Sequence, residues 1–309
     1  MKKITVAIPT YNREKYLIES LTSILNQTEK NIDILVFDNG SDYDIYGAIK
    51  KIDPENKIKI IRSEKNLGGT ANFQRIKDYN FDSEYLIVFH DDDVMHKDYL
   101  KSALSFLEKN KEVIWLGSNI NFVKNSERIF DFKKVNYNNF EKITTSKLVT
   151  LLLTGYNLGY CSIIYKTKPY QKGQNFIEFD KKFGKWGDRP IFIELSKQGP
   201  VAITKEKFIN YRVHSGQDSQ NYPFKGIPKE AYNLLEYYSE ELDGAGFEKP
   251  NKYMTIQSII SATGSAQNFS QLFILLNIYK EKGWFSYKKI SLRGYYYFIK
   301  FLIKIIKKL

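Results

Sequence analysis

Three consecutive carboxylates, Asp91, Asp92 and Asp93, close the apolar run of residues 85–89 and stand ahead of a helical segment. Carboxylates crowded at a strand end repel one another unless a cation sits among them. A divalent metal answers that need. Hard oxygen ligands suit Mg²⁺ or Mn²⁺, which keep open positions for phosphate oxygens. A solvated acidic turn whose last aspartate starts the next helix satisfies the same residues without a ligand.

The elements that would position the triplet are legible as a pattern. Residues 4–8, 32–37, 58–61, 85–89 and 113–116 are apolar runs rich in β-branched side chains, separated by segments of helical period. That alternation marks an α/β fold, a mostly parallel Rossmann-like sheet flanked by helices. Leu17, Leu21, Ile24 and Leu25 fall on one helical face, with Asn12 as the expected N-cap; Leu100, Ala103, Leu104 and Leu107 fall on another, with Asp98 as the cap. Ligands of such sheets bind beyond the carboxyl ends of the strands. There the chain carries Pro9, Thr10, Tyr11, Asn12 and Arg13, then Asp38, Asn39, Gly40 and Ser41, then Asn66, Leu67, Gly68 and Gly69, then the triplet. All four groups are expected to face one crevice.

Beyond residue 120 the alternation loosens. Residues 121–140 read as a loop or hairpin, 147–153 as helix, 160–165 as strand, 188–198 as helix, 201–204 and 208–213 as strands, and from about Pro228 the pattern is helical.

The ordered set of motifs resembles the family 2 glycosyltransferases of the GT-A fold, most closely over residues 1 to about 120 and more weakly to about 220. The resemblance implies inverting transfer of a sugar from a nucleotide diphosphate donor with a divalent metal, Mn²⁺ or Mg²⁺. It implies a catalytic domain over residues 1–225 and a helical extension over 226–309. Pro9, Thr10, Tyr11, Asn12 and Arg13 would line the nucleotide pocket, and Asp38 would accept a hydrogen bond from the base, typically uracil. An Asx-type turn with Gly40 explains Asp38 equally well. Asn66 and Gly69 would let backbone approach the nucleotide, or simply form a helix-entry turn. Asp92 matches the metal position, with Asp91 near the ribose and Asp93 assisting at the metal or donor sugar. His90 stands where many relatives have an aspartate and receives no ligand role.

Two later segments extend the resemblance. Trp186, Gly187, Asp188, Arg189 and Pro190 match the acceptor-site segment, which makes Asp188 the base that deprotonates the attacking hydroxyl. The alternative is a helix cap at Asp188 and a packed Trp186 in place of a sugar-stacking one. Tyr211, Arg212, Val213, His214, Ser215 and Gly216 match a segment whose histidine reaches the metal or pyrophosphate, with Arg212 suited to phosphate.

Composition bounds the rest. The single Cys161 excludes an intramolecular disulfide and fits a reducing cytoplasmic setting. The start of the chain lacks the apolar stretch of a cleaved leader, and no run is long enough to span a membrane. Of the net charge of +12, residues 288–309 carry +7 without an acid. Cations there alternate with Phe298, Ile299, Phe301, Leu302, Ile303, Ile305 and Ile306, which reads as an amphipathic helix on an anionic membrane or as a terminal helix packed on protein. Membrane binding would suit a glycan or lipid-linked glycan acceptor in bacterial surface polysaccharide synthesis, at the inner face of the cell membrane. Charge gathered in an apolar tail argues against nucleic acid as partner. The helical last third suits a homo-oligomer interface as well as an acceptor platform. A nucleotidyltransferase would need a glycine-rich basic loop after the first strand, where Thr10 to Arg13 differ; a catalytically inactive nucleotide-sugar or glycan-binding module is the other alternative.

Overall fold

The computed structural model describes residues 2–124, 126–153, 158–173, 176–184, 187–217, 233–244 and 252–307. The first stretch alternates β1 (Ile4–Thr10), α1 (Glu14–Leu25), β2 (Ile32–Asp38), α2 (Ile45–Lys50), β3 (Ile58–Arg62), α3 (Gly69–Asp78) and β4 (Tyr85–Val88). There follow β5 (Val94–Met95), α4 (Tyr99–Lys109), β6 (Trp115–Val123), β7 (Glu141–Ile143), α5 (Thr145–Leu153), β8 (Leu158–Lys166), α6 (Thr167–Lys172), α7 (Phe176–Phe183), α8 (Asp188–Ser196) and β9 (Val201–Arg212). The last described helices are α9 (Ser239–Gly244), α10 (Lys252–Ser265), α11 (Phe269–Glu281) and α12 (Leu292–Ile306).

The strands form one nine-stranded sheet in the order β3-β2-β1-β4-β8-β6-β9-β5, with β7 also on β9. β1, β2, β3, β4, β6 and β9 run in one direction, and β5, β7 and β8 oppose them. The α/β fold with a mostly parallel sheet is therefore present as expected. Strand order reverses between β1 and β4, the switch point at which such sheets open a crevice.

Apolar side chains of β1, β2 and β4 join Leu17, Leu21 and Ile24 of α1 and Leu100, Ala103, Leu104 and Leu107 of α4 in a common core. Each buried leucine or isoleucine there contributes about 1.5–3 kcal/mol. The chain falls into two compact units, Met1–Thr145 with Asn157–Glu178 and Ile191–Gln220, and Ser146–Tyr156 with Phe179–Pro190 and Asn221–Leu309.

Several local expectations are corrected. Asn12 does not cap α1: Arg13 holds the cap position, and Asn12 takes a left-handed backbone, φ 52°, one of the few conformations in which asparagine is favoured. Asp98 does precede α4, but its carboxylate accepts from Thr28 Oγ1 (2.9 Å) and Tyr137 Oη (3.2 Å) instead of from the helix. The triplet leads into the two-residue β5, which pairs Val94 with Asn210 of β9, before the helix begins. The two strands expected over 201–213 are one, β9, because residues 205–207 stay extended on the edge of β6 across register shifts.

Candidate active site

A cavity of about 460 Å³ opens at the carboxyl ends of β1 and β4. Pro9, Thr10, Tyr11 and Arg13 line it from the end of β1, Asn39 from β2, and Asn66, Gly68, Gly69, Asn72 and Phe73 from the entry to α3. His90, Asp91 and Asp92 form its floor, and Tyr211 and Gln217 its far wall. Thus the four expected motifs do converge. Asn12, Asp38, Asp93, Arg212 and His214 stand outside the lining, each tied to a residue of it or to another support.

The cation among the carboxylates in this structure is Arg13. Its Nη1 donates to Asp91 Oδ1 (3.1 Å) and Asp92 Oδ2 (3.2 Å), while Nη2 donates to the Gly216 carbonyl (2.9 Å). Thr10 Oγ1 donates to the other oxygen of Asp91 at 2.8 Å. Burial, then the charge of Asp92, still pushes the Asp91 carboxyl above the usual carboxylate range, against the pull of Arg13 and Thr10. One guanidinium leaves the pair under-neutralised.

His214 closes the same cluster. Its Nε2 lies 3.0 Å from Asp92 Oδ2, and its Nδ1 accepts the Gly216 N–H at 3.2 Å. An accepting Nδ1 in the neutral ring leaves the proton on Nε2, which then donates to Asp92. Gln217 accepts from His214 N–H and donates to the Arg212 carbonyl, so residues 212–217 fold back compactly onto the site. The His214 ring packs on Tyr16 of α1, centroids 4.7 Å apart.

Arg212 is fully buried, away from the cavity lining. Its N–H donates to Asp93 Oδ1 (2.9 Å), its Nε to the Asp92 carbonyl (2.7 Å), its Nη2 pairs with Glu19, and its guanidinium covers the Tyr16 ring. The β5–β9 pairing brings it there. Asp93, also fully buried, therefore holds β9 with one oxygen and faces His90 Nδ1 at 3.3 Å with the other. Burial alone lowers the His90 imidazole, but the hydrogen bond and charge of Asp93, with Asp92 and Asp91 behind, leave it raised.

Asp38 is likewise saturated. It accepts from Ser41 Oγ (2.6 Å) and Ser41 N–H (3.1 Å), and pairs with Arg62 Nη1 at 2.8 Å. Ser41 Oγ accepts the Asn12 N–H at 2.9 Å, and the Asn12 side chain clasps Asp42, so the first two motifs are laced together. Gly40 turns there at φ 77°, and a Cβ would meet the Lys65 carbonyl carbon at 2.9 Å. The third motif is held by Asn39: its Nδ2 donates to Asn66 Oδ1 (2.8 Å) and the Gly68 carbonyl (3.2 Å), and its Oδ1 accepts the Leu67 N–H (3.0 Å).

Asn39, Asn72, Phe73, Tyr211 and Gln217 are cavity residues that sequence reasoning did not select. Asn39 stood inside a quoted motif and could have been found there. Phe73 and Tyr211 flank the His90 ring, each 6.3 Å from it between centroids; Tyr211 opens the His214 motif, whereas only the aromatic excess hinted at Phe73.

The donor chemistry fits a hard divalent cation. Asp91 and Asp92 offer hard carboxylate oxygens bridged by Arg13 Nη1, and His214 Nε2 stands 3.0 Å from Asp92 Oδ2, although these three residues do not bring their ligand atoms into one close cluster. Among the described residues the grouping that does bring three ligand atoms within 4.8 Å of one another is His90, Asp93 and Cys161. It suits Mg²⁺ or Mn²⁺ poorly, because burial, and then the charge of Asp93, raises the Cys161 thiol well above its ordinary value and keeps it a neutral soft atom.

Asp188 begins α8 and is half-buried in the second unit. Trp186 lies outside the described residues. Among the described residues no helix is long and apolar enough to cross a membrane.

The family model described as glycosyl transferase family 2 matches residues 5–173, more than half of the chain. An uncharacterised glycosyltransferase of Haemophilus influenzae is 25% identical over 222 residues, 71% of this chain and 68% of that protein. One of Rickettsia conorii is 35% identical over 108 residues, 35% of this chain, and the match spans only 18% of that longer protein. Among solved structures, Staphylococcus aureus TarS 1–349 in complex with UDP-GlcNAc superposes with a TM-score of 0.54 at 17% identity, covering 98% of this chain and 89% of that one. The Pyrobaculum calidifontis mannosyltransferase PcManGT, in complex with GDP-Man and Mn²⁺, gives 0.55 at 11% identity, covering 98% and 87%. At such identities the likeness is one of fold.

Proposed function

The chain belongs to glycosyl transferase family 2, and from that premise we propose that it transfers a sugar, with inversion, from a nucleoside diphosphate sugar in the 460 Å³ cavity to an acceptor hydroxyl. The observation that carries the reading is the buried Asp91–Asp92 pair at the switch point, sharing one guanidinium and still under-neutralised. That is the place for a diphosphate and its counter-ion. The UDP-GlcNAc of the TarS complex supports a UDP-sugar as donor, and the Mn²⁺ of PcManGT supports a divalent ion.

Asp92, with Asp91 beside it and His214 above it, would hold Mn²⁺ or Mg²⁺. When bound, the ion supplies positive charge against the departing diphosphate. The rest falls to the chain. Asn39 holds the 66–69 turn so that Gly68 and Gly69 let the nucleotide approach backbone. Asp38, locked by Ser41 and Arg62, fixes the turn that frames the base. Asp188 takes the proton of the acceptor hydroxyl as its oxygen bonds to the anomeric carbon and the bond to the diphosphate breaks. In this reading residues 1–225 are the catalytic domain and 226–309 an extension, and the basic end of the chain brings the enzyme to a lipid-linked glycan at the inner face of a bacterial membrane.

Nucleotide sugars screened with Mn²⁺ or Mg²⁺ test the reading. At a hundred times its Kd a true donor stabilises the fold by about 2.7 kcal/mol and is slowly hydrolysed. If no UDP- or GDP-sugar does either, the function is wrong. D188N should bind donor normally and transfer about 10²–10⁴-fold more slowly; full transfer rate would remove Asp188 from its role.

A further inference from the structure

Residues 252–307 build a surface that the donor site does not use. α11 and α12 both pack on α10. α12 is buried through Gly294 and Phe301, yet Leu292 is 90% exposed, Ile299 54% and Ile306 67%, with Tyr295 and Ile303 beside them. At 3.6 residues per turn these fall on one stripe, opposite the packed face. Arg293, Lys300 and Lys307 follow at seven-residue spacing along its edge. The helix thus has a face on the protein, an apolar face without a cover among the described residues, and a basic border between them.

At the start of α12 lies a crevice of about 610 Å³, lined by Lys252 and Ile256 of α10, by Lys288 and Lys289, and by Leu292 and Arg293 among others. Four cations meet there, and no carboxylate is among the described residues that line it. The surroundings reinforce the field: between 252 and 309 the chain holds ten lysines and arginines against one acid, Glu281. Ser291 caps the fifteen-residue α12 by accepting from Gly294 N–H, and the positive end of the helix opens on the same crevice.

We propose that this crevice binds the phosphate of an anionic phospholipid headgroup, with the stripe of α12 lying in the same leaflet. The proposal rests on the membrane-face reading above and names its ligand. Charge selects the occupant: an apolar face of another protein would not need four cations at one end, whereas a headgroup phosphate lies at the depth where an interfacial helix begins.

The full chain, sedimented with phosphatidylcholine vesicles or with vesicles containing phosphatidylglycerol, should bind only the latter. Removing three crevice charges in K252Q/K288Q/R293Q should weaken that binding roughly a hundredfold. Removing three exposed lysines of the other compact unit, K101Q/K109Q/K124Q, takes away the same total charge without touching the crevice and should change it less than about threefold. L292S/I299S/I306S should lose binding while keeping its thermal midpoint. Equal loss in the two charge variants means diffuse attraction and overturns the headgroup site, though not the membrane face. If no vesicle is bound, and the chain is a dimer that L292S/I299S/I306S dissociates, the face is a protein interface and both readings fall. Donor stabilisation in solution is independent of all these outcomes.

Discussion

Arg13 Nη1 occupies the Asp91 and Asp92 oxygens that a metal in the proposed site would draw on, so guanidinium and metal are expected to compete for them. R13Q removes the guanidinium but keeps a side chain of similar length. Asp91 and Asp92 have side chains only 6% and 5% exposed, Arg13 25%, so the contacts are screened on one side only. A charged hydrogen bond is worth about 1.5–3 kcal/mol, and because Nη1 serves both carboxylates we count it once. Without metal the variant should therefore melt roughly 3–12 °C lower, at about 2–4 °C per kcal/mol for a chain of this size. The same free energy no longer opposes an incoming ion, so Mn²⁺ should bind roughly ten- to a hundredfold more tightly. Titration of the apo protein, following free Mn²⁺ by its paramagnetic resonance signal, reads the second effect directly. R13K, which keeps a charge without the fork, should fall between. An R13Q chain that binds Mn²⁺ no more tightly than the parent refutes the competition between guanidinium and metal.

Three further outcomes follow from the geometry. G40A should cost about 1–3 kcal/mol in urea unfolding, because its φ of 77° and the Lys65 backbone at 2.9 Å both oppose a Cβ; G68A, at φ 86° with open space around it, should cost less. N39A releases Asn66, Leu67 and Gly68 together and should raise the donor Kd about tenfold by calorimetry, while an unchanged Kd would mean the turn is held without it. His96 is held below its ordinary 6.5, first by burial and then by Lys97 against Asp98, with Nδ1 accepting the Asp98 N–H. Above 6.5 neither state binds its proton; as pH falls through 6.5 the unfolded chain is protonated first, so stability drops until the folded value is passed. H96Q should flatten that part of a stability–pH curve, and an unaltered slope would exclude His96 as its source.

The α/β alternation was readable because β1, β2 and β4 are mostly apolar and rich in β-branched residues, and the triplet's importance because four polar motifs closed successive strands. What local pattern could not reveal was contact across the sheet. β5 has two residues and no periodicity, yet its pairing with β9 turns Asp93 toward Arg212 and takes both out of the cavity. Arg13 reaches the carboxylates from the cap position of α1, beside an Asn12 at φ 52°, a conformation that reading Asn12 as the helix cap does not suggest. Asn39 acts on a turn 27 to 29 residues later, which depends on β2 and β3 being neighbours.

Cys161 has a practical consequence. It is the chain's single thiol, fully buried in β8, and held protonated well above its ordinary range. A maleimide reagent at neutral pH will therefore leave the native chain unmodified. A cysteine placed at Ile299 or at Ser215 can then carry a fluorophore or spin label without background, one testing for contact with a bilayer and the other reading the distance between the 212–217 segment and the Asp92 side. Slow modification of Cys161 itself becomes a clock for global opening of the fold.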